Sequence, residues 1–281
     1  MRLSILRSGV ARGGIELRQT LTTWSDLFAY IFPTILLLGA IFFMRNAHVP
    51  GTNFSLGTQS LTSSFGMSIA FGGLMTVAQL LIADREDGTL LRAKATPNGM
   101  MGYLIGKTVL VGGMLLISFL LQLIPGVFVV HGLHVTATGW LILLWLVPLG
   151  LIATMPIGAV FGSLFENSRN MALLILPIIG LVAISGVFYP ITAMPGWVQA
   201  VGQCFPIYWL GLGMRSVFLP SSLAGVELGH SWRHWETLGM LVFWAVVGLT
   251  LAPSFLRRMA RRESGSAVEA RRQRAMVAMG R

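Results

Sequence analysis

The chain has 281 residues, of which 54% are hydrophobic and only 11% charged, less than half the roughly 25% charged share of a soluble domain, so water is not its main solvent. Its net charge of +10 would suit nucleic acid, but the basic residues stand at the ends of apolar blocks and in a terminal tail, where membrane orientation accounts for them. The single Cys204 excludes an internal disulfide framework.

Residues 1–26 place Arg2, Arg7, Arg12 and Arg18 among small and polar residues, without the continuous apolar run of a cleavable signal peptide. They are expected to remain as a cytoplasmic N-terminal segment. Six apolar stretches follow, at 27–44, 62–83, 108–130, 139–165, 171–189 and 237–256. Each is near the roughly 20 residues of a spanning helix, and none contains Asp, Glu, Lys or Arg. Pro33, Pro125, Pro148, Pro156 and Pro177 fall inside them and predict kinks that neighbouring spans must satisfy. With the N-terminus inside, 17 Lys and Arg residues fall on the cytoplasmic side and 3 outside, the bias that orients membrane proteins. Both termini are therefore expected in the cytoplasm, with 27–256 as an all-α transmembrane domain and 257–281 as a basic cytoplasmic tail.

Several segments carry possible chemistry. In the second stretch Ser64, Ser68, Thr76 and Gln79 form a mildly polar stripe at near-helical spacing, which fits either packing against another helix or the lining of a cavity. The stretch ends in Asp84, Arg85, Glu86, Asp87, Gly88, Thr89, Leu90, Leu91 and Arg92, with Thr96 and Pro97 beyond. Acids at a helix C-terminus oppose its dipole but suit the start of a new helix. The run reads either as a charged loop cap or as a short helix from about Gly88 to before Pro97.

Residues 102–108 read GYLIGKT, but three residues separate the glycines where a phosphate loop has four, and the segment opens a span. ATP binding by this chain is not expected. In the fourth stretch Gly150, Thr154, Gly158 and Gly162 form a small-residue stripe suited to close helix packing, within the chain first and between subunits second. From 189 to 235 prolines and aromatics alternate, which reads as short interfacial or re-entrant helices or as a seventh span. Glu227, His230 and His234 could share a helical face, although an exposed loop fits them better than a metal site. Neither HExxH nor GxSxG occurs, so the zinc protease and serine hydrolase signatures are missing and an enzyme is not expected. No ionised group lies inside the spans, which argues against ion-coupled transport and for energy supplied from outside the membrane.

The run 84–92 with Pro97 after it resembles the ERExGTLxR-proline pattern that closes the second span of the membrane subunits of type-2 ABC exporters, with Asp84 in place of Glu. A second stretch, GVFYPITAMPGWVQAVGQCFPIYWLGLGMR at 186–215, is similar to the family's segment after the fifth span, with Pro190, Pro195, Trp197, Pro206 and Arg215 at matching places. Among branches of the family the chain looks most like drug-resistance or daunorubicin-type efflux permeases.

The resemblance implies a six-span permease in a bacterial plasma membrane, working as a dimer with a second permease subunit, the same chain or a homologue. A separate ABC ATPase subunit would bind ATP and magnesium, so this chain would carry no cofactor. Residues 84–97 would be the coupling helix that docks in the ATPase, a stretch around 15–26 an amphipathic connecting helix, and 190–216 the outer re-entrant helices. The cargo would be a hydrophobic or amphipathic compound (a drug, lipid or natural product). It would pass Ser64, Ser68, Thr76 and Gln79 of the second span and Asn170, Ser185, Phe188 and Tyr189 of the fifth, where the spans of two subunits meet. The alternative is a non-transporting membrane scaffold or sensory subunit.

Overall fold

The computed structural model describes residues 2–49, 52–96, 99–133, 135–165 and 172–262. Helix α1 (Arg2–Thr22) is followed by α2 (Trp24–Met44), α3 (Leu56–Phe71), a π-helical turn at Gly72–Thr76, α4 (Val77–Glu86) and the short α5 (Thr89–Lys94). Then come α6 (Gly99–Val129), α7 (Ala137–Leu164), α8 (Ala172–Ile184), α9 (Gly196–Gln203), α10 (Pro206–Phe218) and α11 (His234–Arg262).

Among the described residues five helices are long and apolar enough to cross a bilayer: α2, the run Leu56–Glu86, α6, α7 and α11. The fifth expected span differs. Helix α8 has only 13 residues, and residues 166–171 before it lie outside the described residues. It ends at Ile184, and Gly186 then adopts φ of 68°, the left-handed turn that stops a helix. The N-terminal segment also differs from the 15–26 expected for a connecting helix, because α1 begins at Arg2 and breaks at the extended Thr23.

Two ends of the bundle can be distinguished. At one, α5 meets the last turns of α11, where Lys94 Nζ donates to the Ala260 carbonyl at 2.7 Å. At the other, Thr58 Oγ1 donates to the His131 carbonyl at 2.9 Å, joining the start of α3 to the end of α6. Helix α1 runs parallel to α6 in close contact. Gly9 lies against Ile105, Gly13 against the Gly106 carbonyl and Gly113 against Leu17.

The middle of the bundle is α3, most of whose side chains are buried. On one side the fourth-span stripe packs on the α3–α4 run. A Cβ on Gly158 would stand 2.4 Å from the Gly73 carbonyl, and one on Gly162 2.9 Å from Ala78 Cα. The stripe therefore serves contacts within the chain, as its small residues predict. Between α3 and α7 stands α10, which with α9 forms a hairpin that enters the bundle and leaves it at the same end. Gly202 of α9 lies against the Ile184 carbonyl, Phe205 at the tip stacks on Trp244 of α11, and Leu210 reaches Gly66 and Gly150.

The outside of the molecule is apolar. Phe28, Phe32 and Phe43 of α2, Leu116 and Phe128 of α6, Leu141 and Leu144 of α7, and Phe243 and Val246 of α11 are all exposed. So much uncovered apolar surface on helices of spanning length needs a lipid solvent.

Candidate functional site

Three places gather polar side chains, and α3 or its continuation borders each. The first is the end where α4 gives way to α5. Gly88 has φ of 77°, so the chain reverses there without a Cβ clash, and Asp87 Oδ1 accepts the Thr89 N–H at 2.7 Å to cap α5. The sequence pattern treats 84–92 as one surface, whereas the structure divides it. Asp84 and Arg85 are buried, with Arg85 Nη1 donating to the Phe165 carbonyl at 2.9 Å. Glu86 and Thr89 are half-buried, and Asp87 and Arg92 are exposed. Leu90 and Ala93 turn inward onto Leu81, Tyr103 and Met259. Pro97 lies outside the described residues.

Asp84 belongs to a cluster that the sequence does not announce. It accepts the Tyr103 hydroxyl at 2.7 Å and Lys107 Nζ at 2.8 Å. Lys107 also donates to Glu16 at 2.9 Å, and Arg12 Nε pairs with the same carboxylate at 2.9 Å. Two carboxylates thus balance two cations, with Lys107 and Asp84 only 12% and 11% exposed. Burial alone would raise the Glu16 carboxyl, but the hydrogen bonds and charges of Arg12 and Lys107 outweigh it and hold the group below its ordinary value. The cluster ties α1 to α6 and to the end of α4. The GKT lysine is therefore an ion-pair bridge.

The second place is a cavity of about 390 Å³ between α2, α3 and α6, among the sizes that hold a drug-sized ligand. Its polar lining comes from Tyr30 and Thr34 of α2, Ser68 and Thr76 of the second span, and Ser118 and Gln122 of α6. Gln122 Nε2 donates to Ser68 Oγ at 2.8 Å while its Oε1 accepts Ser64 Oγ at 3.1 Å. Tyr30 and Thr76 face the same hollow from α2 and from the second span.

Of the expected path residues, Ser68 and Thr76 line this cavity. Ser64 is buried behind Ser68, and Gln79 is exposed elsewhere. The fifth-span residues do not join them. Ser185 is buried and donates to Val182, the Phe188 carbonyl accepts Ser60 at 3.2 Å, and the Tyr189 hydroxyl bonds the Ala183 carbonyl. Asn170 lies outside the described residues. Gln122 and Tyr30 were missed from the sequence, although a lone amide in the apolar third stretch was a legible signal.

The third place is at the far end. Arg215 of α10 is 1% exposed and holds Glu227 through two bonds, at 2.7 and 3.1 Å. It also donates to Ser63 Oγ at 2.8 Å and to the Gly186 carbonyl at 3.3 Å, joining α10 to α3 and to the turn after α8. Pro195 precedes α9, Pro206 opens α10, Pro190 is buried, and Trp197 is exposed at 73%. Because Glu227 serves Arg215 and His230 Nδ1 faces the Gly225 carbonyl at 2.6 Å, Glu227, His230 and His234 do not converge on one point.

The family model described as ABC-2 family transporter protein matches residues 45–252, which include α3 to α10 and the whole of the third place but neither α1 nor the α2 wall of the cavity. No curated protein shows significant similarity to the chain.

Proposed function

The chain belongs to the ABC-2 transporter family, and from that premise we propose that it is the permease subunit of an ATP-driven exporter for a hydrophobic or amphipathic compound. It has six spans, with α8 and its flanks as the fifth, and both termini lie in the cytoplasm of a bacterial cell. A second permease subunit and a separate ABC ATPase complete the transporter, and the ATPase supplies the ATP and magnesium sites. The motif likeness supports a place near the drug-resistance and daunorubicin-type branch.

The observation that carries this reading is α5. A six-residue helix with exposed Arg92, preceded by the exposed Asp87, is anchored at one end of an otherwise apolar bundle by the inward-facing Leu90 and Ala93. An exposed charged knob on a buried base suits a socket in a soluble partner. Within the motif, Asp87, Thr89 and Arg92 face that partner with Glu86 beside them, while Asp84 and Arg85 fix the base. In proteoliposomes holding the permease and its cognate ATPase, Arg92→Glu should abolish compound-stimulated ATP hydrolysis while the permease still inserts and elutes as the wild type does. Stimulation at the wild-type level would mean that α5 is not the dock and would favour the scaffold reading.

A further inference from the structure

Two breaks in regular helix meet at the cavity between α2, α3 and α6. Pro33 has no N–H to give to the Ala29 carbonyl, so the ladder of α2 leaves that acceptor without its usual bond, and both residues line the cavity where α2 is exposed. Across from them the α3 run passes through the π-helical turn Gly72–Thr76, whose first and last residues also line the cavity. Irregular backbone at membrane depth is tolerated where it is buried in protein or lines a cavity, and π-turns are frequent at functional sites. Each break would weaken a helix that served only to cross lipid. Their coincidence on one hollow is the second observation beside the polar side chains.

The lining has a defined order. At one end stand the Tyr30 and Thr76 hydroxyls, and at the other Ser68, Ser118 and Gln122, whose buried amide is fixed by Ser64 and Ser68. Eight residues of helix separate Ser68 from Thr76, a distance of about 12 Å if the rise stays near 1.5 Å per residue. The wall between is apolar, from Phe71, Met114 and Leu115. Among the described residues no Asp, Glu, Lys, Arg or His lines the cavity, so an ionised ligand would find no opposite charge among them.

We propose that this cavity is a ligand site inside a single protomer, entered from the lipid side past Ala29 and Pro33, for an uncharged apolar molecule with a hydroxyl or amide group. A donor on the ligand would bond the Ala29 carbonyl or the Tyr30 or Thr76 hydroxyl, an acceptor would take Ser118 or the Gln122 amide, and the apolar body would lie on Phe71 and Leu115. This rests on the exporter reading for its physiological meaning, since it gives the class of compound the permease receives from the bilayer. As a binding site it stands on the protomer alone.

The experiment therefore uses the full chain in liposomes without ATPase, so that a failed coupling test leaves it intact. The probe is an uncharged alkyl alcohol carrying a diazirine, cross-linked by light and mapped by peptide mass spectrometry. Saturable labelling should fall on residues 29–37, 67–76 and 111–122. The same alcohol without the diazirine should compete about tenfold better than the alkane of equal length, the weight of one or two hydrogen bonds. Thr34→Phe on α2 and Ser118→Phe on α6, two independent ways of filling the hollow, should each remove the saturable component. Equal competition by alcohol and alkane, or labelling spread without saturation over the exposed faces of α6, α7 and α11, would overturn the proposal, and the competition readout needs no variant to fold.

Discussion

Lys107 holds two carboxylates from two other helices, and the consequence of removing it follows from charge. Lys107→Met would leave Glu16 with Arg12, and Asp84 with the Tyr103 hydroxyl but no cation. Breaking a buried pair on one side costs about 3–5 kcal/mol, because the remaining charge keeps its desolvation without its partner. Acid sensitivity follows the same logic. The Glu16 carboxyl lies below its ordinary value of 4.5, so its contribution to stability is complete above that value and is lost as pH falls through the lower folded one. Thermal melts of the purified protein across pH should show Lys107→Met less stable at neutral pH and losing further stability at a higher pH than the wild type does. Coincident melts for the two proteins would show the cluster to be freely solvated. The sequence could not reveal this bridge, because Lys107 and Glu16 are 91 positions apart and no periodicity connects them. The GKT spelling drew notice to Lys107 for a reason that its spacing refuted.

The elements are held by close backbone approach more than by any one side chain. Gly66 of α3 faces α10 so closely that a Cβ would meet the Leu210 carbonyl at 2.3 Å, and backbone cannot rotate away as a side chain can. Overpacking a tight interface costs about 1–3 kcal/mol, and Gly66→Val should reach or exceed the top of that range by forcing α10 off α3. Gly39→Val in α2, where nothing stands within 4 Å of the new Cβ, is the matched control and should be nearly neutral. Thermal unfolding of both variants in the same detergent would check this, and equal midpoints would show that α10 does not depend on α3 for its place. At this scale the sequence was legible wherever spacing reports on packing, as in the stripe from Gly150 to Gly162. It was not legible at the π-turn, because a Gly-Gly pair is compatible with either helix. Nor did apolar composition show where α8 stops, since Gly186 sets that end through its backbone and the stretch stays apolar on both sides.

The whole molecule turns its apolar residues outward and its polar clusters inward, and that arrangement with the ABC-2 match makes it a multi-pass membrane protein. Composition had already made that legible. The number of crossings is a finer matter, and it depends on α8. Thirteen residues rise about 20 Å, short of the roughly 30 Å hydrocarbon core, so α8 needs its flanks to cross. The contacts at the two ends give it a direction. Arg85 holds the Phe165 carbonyl near the α5 end, whereas Gly202 lies against the Ile184 carbonyl and Ser60 reaches Phe188 near the far end. A chain that leaves α7 at one end and enters α9 at the other changes sides between them, which supports the proposed six crossings. Cysteines at Asn53, Ala95 and Gly196, all exposed positions, can test this in a Cys204→Ser background. An impermeant maleimide applied to intact cells should label positions 53 and 196 and leave 95 untouched until the membrane is opened. Labelling of 53 alone would place α9 with α5 and reduce the crossings before it by one, and labelling of 95 alone would reverse the orientation that the distribution of arginines and lysines predicts.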